Sequence, residues 1–254
     1  MPLQIEMQAG WLLHSRPYRD TSMLLDFFTE ESGRVSAIAR GIRNPKAKHK
    51  ALLQPFIPLY ISLSGRSELQ NLRQVEARSP ALFLKGESLF SALYVNELMV
   101  RLVAGHEKDR ELFGAYSSVL LELSAGVEIE PLLRSFELRL LENLGYGLQL
   151  SHEADSDNPV VSEGWYYLQS DGGFVRQLQV AELGAGADPS MDKLYSGIEL
   201  QNIGRADFSR ANTRKVAKRL LRFVLQQHLS ERPLGSRELF KALPKQLPPD
   251  LQAR

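Results

Sequence analysis

Hydrophobic and polar positions change rhythm once along this chain, near Pro80. Before it, short apolar runs are separated by turn signals, the mark of strands. Residues 9–15 (AGWLLHS) and 21–29 (TSMLLDFFT) flank RPYRD, where Pro17 and Asp20 suit a turn. The polar EESG at 30–33 closes a hairpin into 34–42 (RVSAIARGI), and 56–64 (FIPLYISLS) and 68–78 (ELQNLRQVEAR) are joined by Gly65-Arg66-Ser67. Five short strands with a longer loop after the third predict a small closed barrel of the OB type. A five-stranded open meander fits the count nearly as well, and pattern alone does not separate the two.

After Pro80 the apolar period becomes helical. Leu89, Phe90, Leu93, Tyr94, Leu98, Met99, Leu102 and Val103 recur within a helix predicted over 87–104. Further helices are expected over 109–124 and 129–144, the latter stopped by Gly145-Tyr146-Gly147. Residues 151–190 form an irregular insert in which WYYLQS and GFVRQL flank Asp171-Gly172-Gly173, a hairpin signature. Helices resume over 192–203 and 208–229, and a short one starts at Ser236, an N-cap with Glu238 in its first turn. The tail 244–254 reads as disordered. The expected class is α+β: a five-stranded OB-fold barrel (1–80), then a mainly helical domain (81–243) carrying a small β-like insert.

Composition narrows the chemistry. With no cysteine, disulfides, thiolate metal sites and cysteine nucleophiles are excluded. No apolar run reaches 18 residues, so neither a signal peptide nor a membrane span is expected, and a cytoplasmic protein is. There is no P-loop, GxGxxG or GxSxG, and the five histidines lack ligand spacing. Asp155-Ser156-Asp157-Asn158 resembles the opening of a calcium loop but lacks the downstream Gly and Glu. The chain is therefore expected to be no enzyme and to need no cofactor.

Charge supplies the positive signal. The chain has 31 basic and 30 acidic side chains, yet residues 33–50 hold Arg34, Arg40, Arg43, Lys46, Lys48, Lys50 and His49 with no acid. Such a cluster beside a barrel suits a polyanion, and six phosphate contacts would give a log–log salt slope of roughly −4 to −5. A second cluster lies on 208–229. There Leu220, Phe223 and Val224 fall within about 80° of Val216, while Arg210, Arg214, Lys215, Lys218 and Arg222 take the other half of the wheel, with Arg219 at the apolar margin completing the basic set. Leu221 and Leu225 also fall among these cations, so part of that face packs against something. A face of one sign either meets a polyanion or is paired with acids from elsewhere. Tyr18, Phe27, Phe28, Phe56 and Tyr60 could stack bases, but most are expected in the core, and only one of Phe27 and Phe28 can point inward.

Residues 14–56, from HSRPYRD through ESGR and the Ala-Arg-Gly turn to LQPF, resemble the N-terminal barrel of the bacterial RecO family of DNA repair proteins. ALYVNELMVRL (92–102), PLLRSFELRLLENLGYG (131–147) and RPLGSRELF (232–240) extend the resemblance in order along the chain. It implies an OB-fold followed by a helical domain and a role in recombinational repair (the RecF pathway). Such proteins bind single- and double-stranded DNA and anneal complementary strands. With RecR they load RecA on DNA coated by single-stranded DNA-binding protein (SSB), at the nucleoid. Many members hold zinc with four cysteines after GYG; here 151–176 has none, resembling the zinc-less gammaproteobacterial subgroup, with the hairpin partly substituting by packing.

The acidic, apolar-ended SSB tail needs an apolar pocket rimmed by cations. Leu132, Leu133, Phe136 and Leu140 with Arg134 and Arg139 offer one, and by similarity Arg134 is the best single candidate for a tail carboxylate. An adaptor with incidental DNA affinity is the alternative, and an RNA-binding factor built on the same barrel is a third reading.

Overall fold

The computed structural model describes residues 3–45, 47, 49–65, 67–169, 172–177, 193–229 and 234–236. Lys46, Lys48, Asp171, most of the helix expected from Ser236 and the tail 244–254 lie outside the described residues. The chain divides into two compact units, residues 1–127 with 231–254, and residues 128–230.

In the first unit, β1 (Leu3–Tyr18), β2 (Ser22–Thr29), β3 (Gly33–Ala39), β4 (Pro58–Gly65) and β5 (Leu69–Ala77) close a barrel in the order β1-β2-β3-β5-β4. Closure rests on a parallel β3–β5 pair, Ser36–Leu69 to Ile38–Asn71, together with β1–β4 pairing. This excludes the open meander. Alternation on β2 and β3 puts Leu25, Phe27, Val35, Ala37 and Ala39 inside with Leu59, Ile61 and Leu63.

Phe28 points outward and is fully buried all the same. It packs against Phe113 and Tyr116 at ring-centroid distances of 5.6 and 5.8 Å, and Trp11 meets Tyr116 at 6.1 Å. These rings belong to α2 (Arg110–Ser124), which with α1 (Gly86–Leu102) covers the apolar outer patch of the barrel. The rhythm of the sequence changes at 80, whereas packing divides at 127/128, because Trp11 and Phe28 need α2 to leave water.

Polar joints fix these helices on the barrel. A bulge in β1 at Leu13 frees its carbonyl, which accepts from Asn96 Nδ2 at 3.1 Å, and Asn96 Oδ1 accepts from Tyr116 at 2.6 Å. Burial raises the Tyr116 hydroxyl far above its ordinary range, so it remains a donor. Gly33 has φ +62°, and a Cβ there would lie 1.9 Å from the Glu107 carbonyl oxygen, so the turn into β3 requires glycine. Gly235 and Ser236 return to this unit, donating two backbone N–H groups and the Ser236 hydroxyl to the Glu97 carboxylate at 2.7–2.9 Å.

The second unit packs α3 (Ile129–Asn143), α4 (Gly197–Gly204) and α5 (Ala211–His228) with a sheet ordered β7-β6-β8, where β6 is Trp165–Leu168, β7 Phe174–Arg176 and β8 Leu194–Ser196. The expected hairpin is β6–β7. The helix expected from 192 instead begins at 197, because Leu194–Ser196 pairs with the other edge of β6. Tyr166, Leu168, Phe174 and Tyr195 are buried and form the apolar layer of the insert. Gly145 (φ +79°) ends α3, with the Tyr146 N–H reaching back to the Leu141 carbonyl.

Candidate nucleic-acid interface

The strand register arranges the outer face of β1, β2 and β3 in rows. Trp11–Phe28–Arg34 lies under the helices; His14–Asp26–Ser36 comes next, then Arg16–Leu24–Ile38. The β1–β2 turn, residues 19–21, and the segment after β3 meet at the far end, where the Arg43 N–H donates to the Thr21 carbonyl at 2.9 Å and Arg43 Nη1 to the Arg19 carbonyl at 3.2 Å. Arg16, Arg19, Arg40 and Arg43 are thereby gathered, all exposed, around half-buried Leu24 and Ile38. Asp20 is the one exposed acid in this part of the barrel among the described residues. Sequence reasoning missed Arg16 and Arg19, which sit outside the acid-free stretch and join it only through barrel closure.

The segment 40–53 is more than a solvated loop. Ile42 and Leu53 are buried in the barrel core, with Ala47 and Leu52 packed against it, while Arg40, Arg43 and Lys50 stay outside. The cations are therefore mounted on a plug that closes the barrel end. At the opposite end the charges are paired: Lys108 and Arg110 both bond the Glu31 carboxylate and hold it below its ordinary range.

Arg34 is a correction to the expected set. Its Nη1 donates to the Val100 and Val103 carbonyls at 2.6 and 3.1 Å, capping the end of α1, with Asp26 at 3.9 Å. A guanidinium so placed serves the helix terminus. Among the aromatic candidates, Phe27, Phe28 and Phe56 are buried, Tyr18 is half-buried with Arg19 over its ring at 5.2 Å, and Tyr60 is exposed beside Arg78.

On α5 the alternatives divide along the helix. Arg214 and Lys218 straddle Glu130 at 3.7 and 3.8 Å, and Arg214 also donates to the Phe208 and Ser209 carbonyls. Arg219 lies 4.6 Å from the Tyr195 ring centroid and donates to the Leu194 carbonyl. Arg210, Lys215 and Arg222 are exposed. Leu221 and Leu225 are core, so the buried stripe centres on Ala217, Leu220, Leu221 and Val224 rather than on Val216.

On α3 the expected tail receptor is occupied by the fold. Leu133, Phe136 and Leu140 are buried, Leu132 is half-buried, and only Arg139 presents its charge to water. Arg134 is corrected: it is 7% exposed and donates to Glu137 at 2.8 Å. A cleft of about 500 Å³ opens on another side of the helix, lined by Leu138, Leu148, Val160 and Ile203 with Glu142 and Arg205.

Residues 3–81 match the family model described as Recombination protein O N terminal, and residues 85–238 match Recombination protein O C terminal. The chain belongs to the RecO family. It is 42% identical over 236 residues to the DNA repair protein RecO of Pseudoalteromonas atlantica, covering 93% of this chain and 94% of that one. The DNA repair protein RecO of Pseudomonas putida is 43% identical, with 92% and 96% covered, and that of Methylococcus capsulatus is 42% identical, with 95% of each covered. These RecO proteins match this chain across both of its units, so the likeness is one of whole proteins and not of a shared barrel alone.

Proposed function

We propose that this RecO-family protein is a non-enzymatic DNA-binding protein of recombinational repair, working in the cytoplasm at the nucleoid. It anneals complementary strands and, with RecR, helps load RecA on SSB-coated single strands. The observation that carries the reading is the row of exposed Arg16, Arg19, Arg40 and Arg43 around the β2–β3 face, with Lys50 on the same plug. In OB barrels the strand 2–3 face and the turn between strands 1 and 2 are where oligonucleotides lie. Cations there neutralise phosphates and release counterions, which lowers the repulsion between two strands until base pairing takes over.

The test is annealing of complementary oligonucleotides, with no nucleotide added, across a salt series. Annealing should be fast at low salt and lost at high salt. Arg40→Glu/Arg43→Glu should flatten the binding slope by about 0.7 per lost single-strand phosphate contact. Unaccelerated annealing at low salt refutes the reading. Excess RNA that competes as well as DNA would favour an RNA-binding role instead.

The adaptor reading has its own support in the cleft beside α3. Its apolar residues and exposed Arg205, despite Glu142 across the lining, are more accessible to an acidic, apolar-ended tail such as that of SSB than the buried Arg134 is. Arg205→Glu should weaken binding of a tail peptide and leave DNA affinity unchanged; an unchanged peptide affinity removes this cleft from consideration.

A further inference from the structure

The outer face of the small sheet in the second unit carries aromatic rings that its fold does not bury. β6 turns Tyr166 and Leu168 inward, both at most 1% exposed, and presents Trp165 and Tyr167 on the other side; Trp165 is 43% exposed. A cation stands beside Tyr167. Lys193 Nζ lies 5.9 Å from the Tyr167 ring centroid and 5.2 Å from that of Phe223 on α5. Arg219, one turn before Phe223, is held at the β8 edge by the Leu194 carbonyl with its guanidinium on the inward-facing Tyr195 ring, and exposed Arg222 lies further along the same helix. Glu130 holds Arg214 and Lys218, but no described carboxylate pairs with Lys193, Arg219 or Arg222. An exposed Trp165 and a half-buried Tyr167 with uncompensated positive charge on the same unit match a strand whose bases are unpaired and whose backbone is anionic.

We propose that the 128–230 unit carries its own single-stranded DNA site, in which bases stack on Trp165 and Tyr167 while Lys193 holds the backbone and Arg219 and Arg222 on α5 add positive charge. The inference rests on reading the chain as a DNA-binding protein, and adds a site that prefers unpaired bases, since a duplex hides its base faces. The barrel end, built of cations around two aliphatic residues, has no such preference. A protein with both sites can hold a single strand by its bases on one unit while the other screens the phosphates of the incoming complement.

The chain holds only two tryptophans, and Trp11 is buried under Tyr116, so Trp165 emission reports directly on this face. The full-length protein is titrated with labelled oligothymidylate while anisotropy and tryptophan emission are followed together. Emission should fall in step with the anisotropy rise, and Trp165→Phe should abolish that fall while keeping most of the affinity. Trp165→Ala/Tyr167→Ala should weaken oligothymidylate binding about 5- to 100-fold, the range of one lost stack, and change duplex binding far less. An anisotropy rise without an emission change overturns this site alone, as does an unaltered affinity of the double variant. No anisotropy rise overturns it together with the DNA-binding reading. An emission change that follows protein concentration without DNA gives the face to a second copy of the chain and also overturns it.

Discussion

Removing Arg134 should destabilise the second unit before it informs on any partner. Its guanidinium donates to Glu137 three residues on, and the two side chains are 8% and 1% exposed. Truncating one member of such a pair leaves a charge in a poorly hydrated site, at a cost of about 3–5 kcal/mol. Replacing both by apolar residues of similar volume removes the charge and the attraction together, and is often neutral. Arg134→Met should therefore cost about 3–5 kcal/mol, and Arg134→Met/Glu137→Met should cost less than the two single variants added together. With a urea m-value near 2 kcal/mol/M, the single variant shifts the unfolding midpoint down by about 1.5–2.5 M, and the double variant shifts it by less than the two single variants together. Circular dichroism across a urea series reads both, with exposed Arg139→Ala as the control, expected within about 0.5 kcal/mol of the parent. A cost below about 1 kcal/mol for Arg134→Met, or additive costs in the double variant, refutes the buried-pair reasoning.

Other joints make equally definite predictions. Gly33→Ala meets both a positive φ and the Glu107 backbone, so the first unit should lose at least about 2–3 kcal/mol by thermal unfolding, and a neutral result would show that the turn can be rebuilt. Arg34→Ala should lower stability by about 1–3 kcal/mol through the loss of its two carbonyl bonds, while the salt slope of DNA binding stays that of the parent; a flatter slope would return Arg34 to the phosphate-contacting set. Burial pushes the Glu97 carboxyl up, but hydrogen bonds from Ser236 and Gly235, together with Arg101, bring it below its ordinary 4.5. A depressed carboxylate contributes stability above the unfolded value and loses it as pH falls through the folded one. The protection factors of the Gly235 and Ser236 amides, exchange rates taken relative to the unstructured rate at each pH, should then fall below about pH 4.5, and Glu97→Gln should remove most of that pH dependence.

The barrel was legible because its strands alternate with period two, and Phe27-Phe28 announced an outward-facing ring before any partner for it was known. Closure was not legible, since it depends on a parallel pairing of β3 with β5 across more than thirty residues. The same distance hid Arg16 and Arg19, ordinary residues until the β1–β2 turn folds against Arg43. The basic stretch was visible as charge, but whether a cation faces water or a helix terminus depends on what arrives from elsewhere, and α1 claims Arg34. β8 falls within the helix expected over 192–203 because three residues carry no period of their own, and only the open edge of β6 decides their conformation. The Arg134–Glu137 pair did leave a trace, as opposite charges three apart between Leu133 and Leu140 on an apolar stripe.

The segments that revealed the family are mostly joints rather than contact surfaces. In ESGR, Glu31 binds Lys108 and Arg110, Ser32 accepts from Gln8, Gly33 admits the Glu107 backbone and Arg34 caps α1. ALYVNELMVRL supplies Asn96 to the β1 bulge and Glu97 to the Gly-Ser of RPLGSRELF, and PLLRSFELRLLENLGYG supplies the buried pair. A polar joint tolerates few replacements, because a partner left buried and unpaired costs about 1–3 kcal/mol, more for a charge. A phosphate contact is less exacting: a lysine or arginine a few ångströms away neutralises the same charge. Resemblance thus certifies the scaffold more firmly than the surface that would meet DNA. The decisive tests therefore fall on Arg40, Arg43 and Trp165, whose side chains the fold leaves in water.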